Sequence, residues 1–96
     1  MLLVISYDVN TTEPAGEKRL RKVARFCEKY GVRVQNSVFE LEVDPAMEAA
    51  VHCGLEKLID KRKDSVRFYR LGSNWNNKVE SIGRKQMISF GKDLIL

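Results

Sequence analysis

Hydrophobic and polar positions fall into blocks along this chain that predict six elements and a tail. Leu2 to Val9 reads as a strand, bulky and apolar until it reaches Ser6, Tyr7 and Asp8. Both of its faces are apolar at the start, which predicts a central strand covered on both sides. Asn10, Thr11 and Thr12 form a polar break, and either threonine suits a helix N-cap. Pro14 fits a first helical turn. A helix is expected from there to about Tyr30, with Gly31 as its C-terminal cap. Leu20, Val23, Ala24, Cys27 and Tyr30 recur at steps of three and four and form its apolar stripe.

Val32 to Val43 is strand-like, and Gln35 with Asn36 divides it into two short strands. Asp44 followed by Pro45 starts a second helix, a capping carboxylate and then proline at the first position. That helix is expected to reach about Lys61, with Met47, Val51, Leu55, Leu58 and Ile59 inward. Asp64 and Ser65 break it. Val66 to Leu71 is the next strand, with Val66, Phe68 and Arg70 on one face and Arg67, Tyr69 and Leu71 on the other. Gly72 to Asn77 is a loop, Val79 to Ile82 a weaker strand, and the chain ends apolar in Leu94, Ile95 and Leu96. The order β-α-β-β-α-β is that of an α+β, ferredoxin-like fold, with two helices on one face of an antiparallel sheet. The other face has no helix, so a second subunit is expected there.

The chain has 96 residues, 44% hydrophobic and 31% charged, which makes it one globular domain and excludes large enzyme folds. A domain of this size buries only roughly 60% of its unfolded surface, which again favours an oligomer. Cys27 and Cys53 have no metal or redox spacing and read as buried thiols in a reducing compartment. The apolar run at the N-terminus is too short for a signal peptide or a membrane span, so a cytoplasmic location without membrane contact is expected.

Charge changes this picture. Between Lys18 and Arg33 stand seven basic residues and one acid, Glu28, a local charge of +6 in a chain of +4. Lys18, Lys22, Arg25 and Lys29 form a stripe opposite the apolar one. Solvated helix faces are common, but here acids are too few to neutralise it, which favours phosphate contacts. Asp8 is the other suspect, the first charged side chain after seven uncharged positions. It either caps the turn through Asn10 or Thr11 or ligates a divalent cation. Mg²⁺ usually takes one or two carboxylates, and a two-fold dimer would bring Asp8 and its copy together. His52 reads as a helix-flank residue. No serine triad, zinc spacing, Gly-rich phosphate loop or dinucleotide fingerprint occurs.

SYDVN at the end of the first strand, the helix GEKRLRKVARFCEKYG, the block RVQNSVFELEVD and the later DSVRFYRLGSN together resemble the small Cas2 nucleases of CRISPR spacer acquisition. The likeness runs from Leu2 to the C-terminus, and RFYRLGSNW with a terminal LIL is similar to the variants of type I-C systems. It implies a ferredoxin-like homodimer, and the apolar C-terminal segment, about 78–96, is then expected to pack on the partner as an extra strand, because an apolar end after a finished domain needs cover. It also implies a Mg²⁺-dependent endonuclease acting on single-stranded RNA or double-stranded DNA, and a partnership with the Cas1 integrase. By the same resemblance Asp8 is the catalytic and metal-binding residue. Arg19, Arg21 and Arg33 contact the nucleic-acid backbone, and Tyr7, Ser37 and Phe39 support the site. Two rivals remain at this level: a non-catalytic dimeric scaffold bridging integrase and DNA, and an RNA-binding or regulatory module without metal.

Overall fold

The computed structural model describes residues 1–83. Its elements are β1 (Leu2–Asp8), α1 (Pro14–Glu28), β2 (Val32–Gln35), β3 (Val38–Glu42), α2 (Pro45–Leu58) and β4 (Ser65–Gly72). The strands form one antiparallel sheet in the order β2-β3-β1-β4. The predicted ferredoxin-like order is therefore present, with β1 at the centre. Ile5 lies between Phe39 of β3 and Phe68 of β4.

Alternation along β1 separates two environments. Leu3, Ile5, Tyr7 and Val9 join Val23 and Cys27 of α1, Phe39 and Leu41 of β3, and Val51 and Leu55 of α2 in one buried cluster. That side is the helix-covered face. Leu2, Val4, Ser6 and Asp8 point the other way. Val4 stands opposite Glu40 on one side and Tyr69 on the other. Tyr69 is exposed, whereas Leu2 is buried outside the main cluster.

Local chemistry sets the element ends. Asp44 caps α2 as expected, its Oδ1 accepting from the Met47 N–H at 2.8 Å. The N-cap of α1 is Glu13, without a side-chain cap bond, and neither threonine serves. Thr12 is instead drawn back by Asn10, whose Oδ1 accepts from the Thr12 N–H and hydroxyl. Each helix is shorter than predicted, α1 ending at Glu28 and α2 at Leu58. Gly31 is not a left-handed cap, since among the described residues only Gly72 and Gly83 have positive φ. Its lack of a Cβ matters for another reason: one there would lie 2.4 Å from the Glu40 carbonyl oxygen.

Two expectations fail outright. Val79 to Ile82 forms no strand, and Ile82 is 96% exposed. A strand needs a ladder partner, and the outer edge of β4 is not paired with this segment. The predicted packing of residues 78–96 on a second subunit falls mostly outside the described residues. Cys53 is exposed rather than buried, while Cys27 is buried as read. Burial pushes the Cys27 thiol up to about 12, so it stays protonated and inert.

Candidate nucleic-acid interface and metal-binding carboxylate

Asp8 ends β1, opposite Ser65 in the ladder with β4. Strand alternation aims it away from the helices, and it is exposed. It makes no hydrogen bond or ion pair among the described residues. Asn10, not Asp8, caps the turn that follows, so the carboxylate is free for an external ligand. No cluster of three or more His, Cys, Asp or Glu is poised to hold a metal among the described residues. At the open-face end of β1, Asp8 is therefore the carboxylate that the described residues offer a hard cation.

Tyr7, Arg21, Arg33 and Ser37 come together elsewhere. With Leu20, Ala24 and Asn36 they line a recess of about 380 Å³ between α1 and the β2–β3 turn. Tyr7 gives the recess one aromatic wall, and Phe39 lies behind it. Tyr7 and Phe39 stack with centroids 6.2 Å apart, and the Arg33 guanidinium sits 5.3 Å over the Phe39 ring. That contact anchors the flat cation at an edge strand. Burial raises the Tyr7 pKa, against the pull of the Arg33 charge, so the phenol remains a neutral donor. Among the described residues no carboxylate lines the recess, so two guanidiniums share it there without an ion pair. Such a site suits an anion with several oxygens, such as a phosphodiester. It opens on the helix side of the sheet, whereas Asp8 faces the other side.

Arg19 stands apart from both groups. Its Nε donates to Asp64 Oδ2 at 2.8 Å and its Nη2 to Oδ1 at 3.2 Å. The Asp64 side chain is fully shielded from solvent. The Arg19 hydrogen bond, then the Asp60 and Asn10 backbone N–H groups, hold its carboxyl below the usual range. In the sequence Asp64 reads only as a helix breaker. Two of its donor residues, Asn10 and Arg19, stand 54 and 45 positions away, and no local pattern announces them.

The basic stripe of α1 survives intact. Lys18, Lys22, Arg25 and Lys29 are exposed and form no ion pair among the described residues. They span about 16 Å of helix. By contrast α2 carries acids paired with Lys61 and Arg70. His52 lies on the surface, stacked on Phe68 at 4.9 Å. A second missed residue is Glu40, buried on the sheet face opposite the helices. Its Oε1 has no hydrogen-bond partner among the described residues, and desolvation raises its pKa.

Residues 1–79 match the family described as CRISPR associated protein Cas2. Over 95 residues the chain is 50% identical to "CRISPR-associated endoribonuclease Cas2 3" of Rhodospirillum rubrum, covering 99% of this chain and 100% of that protein. It is 53% identical to "CRISPR-associated endonuclease Cas2" of Halalkalibacterium halodurans over 95 residues, 99% of either chain. The crystal structure of Streptococcus pyogenes Cas2 at pH 6.5 is similar with a TM-score of 0.77 and 53% identity, across 86% of this chain and 100% of that one. A chain of a partial Cas6-RT-Cas1–Cas2 complex is similar at a TM-score of 0.69 and 25% identity, across 99% and 98%.

Proposed function

The chain belongs to the Cas2 family, and on that premise we propose that it is a CRISPR-adaptation protein: a homodimeric, divalent-metal-dependent endonuclease that also assembles with the Cas1 integrase. The observation that carries this reading is Asp8, an exposed carboxylate without a partner at the end of an otherwise uncharged strand. The relatives named endoribonuclease and endonuclease support it, as does the neighbour in a Cas1–Cas2 complex.

Asp8 fits a hard divalent cation as half of a site. It has free oxygens, and its copy in a two-fold dimer supplies the second carboxylate that Mg²⁺ coordination commonly uses, with waters and phosphate oxygens completing the shell. The cation, when bound, neutralises charge developing on the phosphate and lowers the pKa of the attacking water. Arg21 and Arg33 hold the phosphodiester by paired N–H donors, and the Tyr7 hydroxyl lines the same recess. Asp8 and the recess lie on opposite faces of the sheet, so a strand that meets both wraps around the end of β1. Lys18, Lys22, Arg25 and Lys29 attract the polyanion along α1. None of these groups selects a base, so binding is independent of sequence.

The test is cleavage of single-stranded RNA and of duplex DNA by wild type and Asp8→Asn, with and without Mg²⁺. Asp8→Asn should fold and dimerise yet cut on the order of a hundredfold slower or worse. Equal cutting by both proteins would remove Asp8 from the chemistry. The alternative reading is a non-catalytic dimeric scaffold that bridges integrase and DNA, to which the neighbour in a Cas1–Cas2 complex is relevant. That reading wins if neither protein cuts and both still join integrase to DNA.

A further inference from the structure

Asp64 gathers donors from three parts of the chain. Arg19 Nε and the Asp60 N–H both bond Oδ2 at 2.8 Å. Arg19 Nη2 at 3.2 Å and the Asn10 N–H at 3.0 Å bond Oδ1. Both oxygens are thus filled, and the side chain has no solvent exposure. A buried carboxylate this fully satisfied is rigid, because each displaced donor would lose its acceptor.

What it holds is the backbone around Asp8. Asn10 lies two residues beyond Asp8. Ser65, next to Asp64 in the chain, is the ladder partner of Asp8. Residues 64 and 65 therefore grip the chain both at Asp8 and just past it. Helix α1 presses on the same loop: a Cβ on Gly16 would lie 1.8 Å from the Asn10 carbonyl oxygen. Asn10 then turns the chain back through Thr12. A carboxylate that must meet a cation together with its copy needs placement to about 0.5 Å.

We propose that Asp64, with Arg19 as its counter-ion, is a positioning residue that fixes the Asp8 carboxylate for divalent-cation binding. This rests on the reading of Asp8 as the metal-holding group. Asp64 touches neither metal nor substrate, and Arg19 acts through Asp64 rather than on a phosphate. A merely structural Asp64 would alter stability alone.

The experiment titrates Mn²⁺ into the full chain and follows free Mn²⁺ by electron paramagnetic resonance. It compares wild type, Asp64→Glu, Arg19→Lys and Asp8→Asn, each at a temperature where melting curves show it folded. Asp64→Glu keeps the charge and moves the carboxylate by one methylene. Its Mn²⁺ affinity should fall about tenfold or more, as when groups supporting a metal ligand are altered. Arg19→Lys loses the two-pronged contact and should fall in the same direction. At saturating Mn²⁺ both should lower kcat and leave KM for nucleic acid unchanged, because the Arg21–Arg33 recess is untouched. The proposal is overturned if both variants bind Mn²⁺ like wild type while Asp8→Asn does not. If Asp8→Asn itself binds like wild type, the Asp8 reading fails first, and the positioning role falls with it. Should Asp64→Glu not fold, Arg19→Lys leaves both backbone donors on Asp64 and carries the test alone.

Discussion

The two faces of the sheet are built from the same strands and differ in how far they are finished. On the helix side, Leu3, Ile5, Phe39 and Leu41 meet Val23, Val51 and Leu55 with almost no exposure. On the other side lie an exposed Tyr69, a free Asp8 and a buried Glu40 oxygen without a donor. A closed face specifies the fold. The other is the face on which the proposed dimer would place its second copy, since a small domain has little surface to spare for covering both sides of a central strand. Comparing the faces therefore separates the packed core, with the Arg21–Arg33 recess at its edge, from the face that carries Asp8.

The widest separation should come from truncating each face. Leu55→Ala opens a cavity under both helices and should cost about 2–5 kcal/mol of unfolding free energy, read by urea titration. Tyr69→Ala removes an exposed ring and should change monomer stability by about 0.5 kcal/mol or less. The same variant should weaken self-association measurably in sedimentation experiments. Equal losses of stability in both variants, with no change in association, would mean that the open face is ordinary surface.

Acid sharpens the contrast next. The folded pKa of Asp64 lies below its unfolded value of about 3.9. The unfolded state then binds more protons between the two values. Stability from Asp64 is complete above the unfolded pKa and is lost as pH falls through the folded one. Asp64→Ala also strips the Asn10 and Asp60 N–H groups of their acceptor and should cost about 2–4 kcal/mol at pH 7. Its acid limb should be shallower than that of wild type. A parallel pH profile in the variant would show that Asp64 is not the titrating group.

Much of the finished face was legible in the sequence. The Asp44–Pro45 start of α2, the apolar stripe of α1 and the alternation of β4 are local patterns, and local patterns report local structure. Arg19 and Arg21 show where that ends. As neighbours in one basic run they look interchangeable, yet two residues of helix rotate a side chain by about 200°. One reaches Asp64 and the other reaches the Arg33 recess. Asp64 and Glu40 were illegible for a related reason. Their states depend on residues 45 and 36 positions away, Arg19 for the first and Val4 beside the second. Asp8 was legible because its signal is local, a charge ending an uncharged strand.

Arg21→Ala and Arg33→Ala test whether the recess holds phosphate. Each lost contact to duplex DNA should flatten the dependence of log K on log salt by about 0.9. The loss should be the same for unrelated sequences. Lys22→Ala, on the exposed stripe, should reduce affinity with a smaller change of slope. If both arginine variants keep the wild-type slope, the recess is not where the backbone sits.

Glu40 gives the smallest effect and the most direct probe of the unfinished face. Desolvation raises its folded pKa above the ordinary glutamate value, so between the two values the folded state binds more protons than the unfolded one. Stability therefore falls as pH rises through that window, and at neutral pH the charged carboxylate opposes folding. Asp64, with every oxygen filled, titrates in the opposite sense, and the difference lies in the donors rather than in burial. Glu40→Gln removes the charge with little change of shape and should stabilise the chain by about 1 kcal/mol at pH 7.5. Its advantage should vanish near pH 4, where the wild-type carboxyl is protonated. Urea midpoints at the two pH values decide the matter. A variant less stable at both would mean that the Glu40 carboxylate has a cationic partner in the assembled protein, and the face would then be finished by charge as well as by apolar contact.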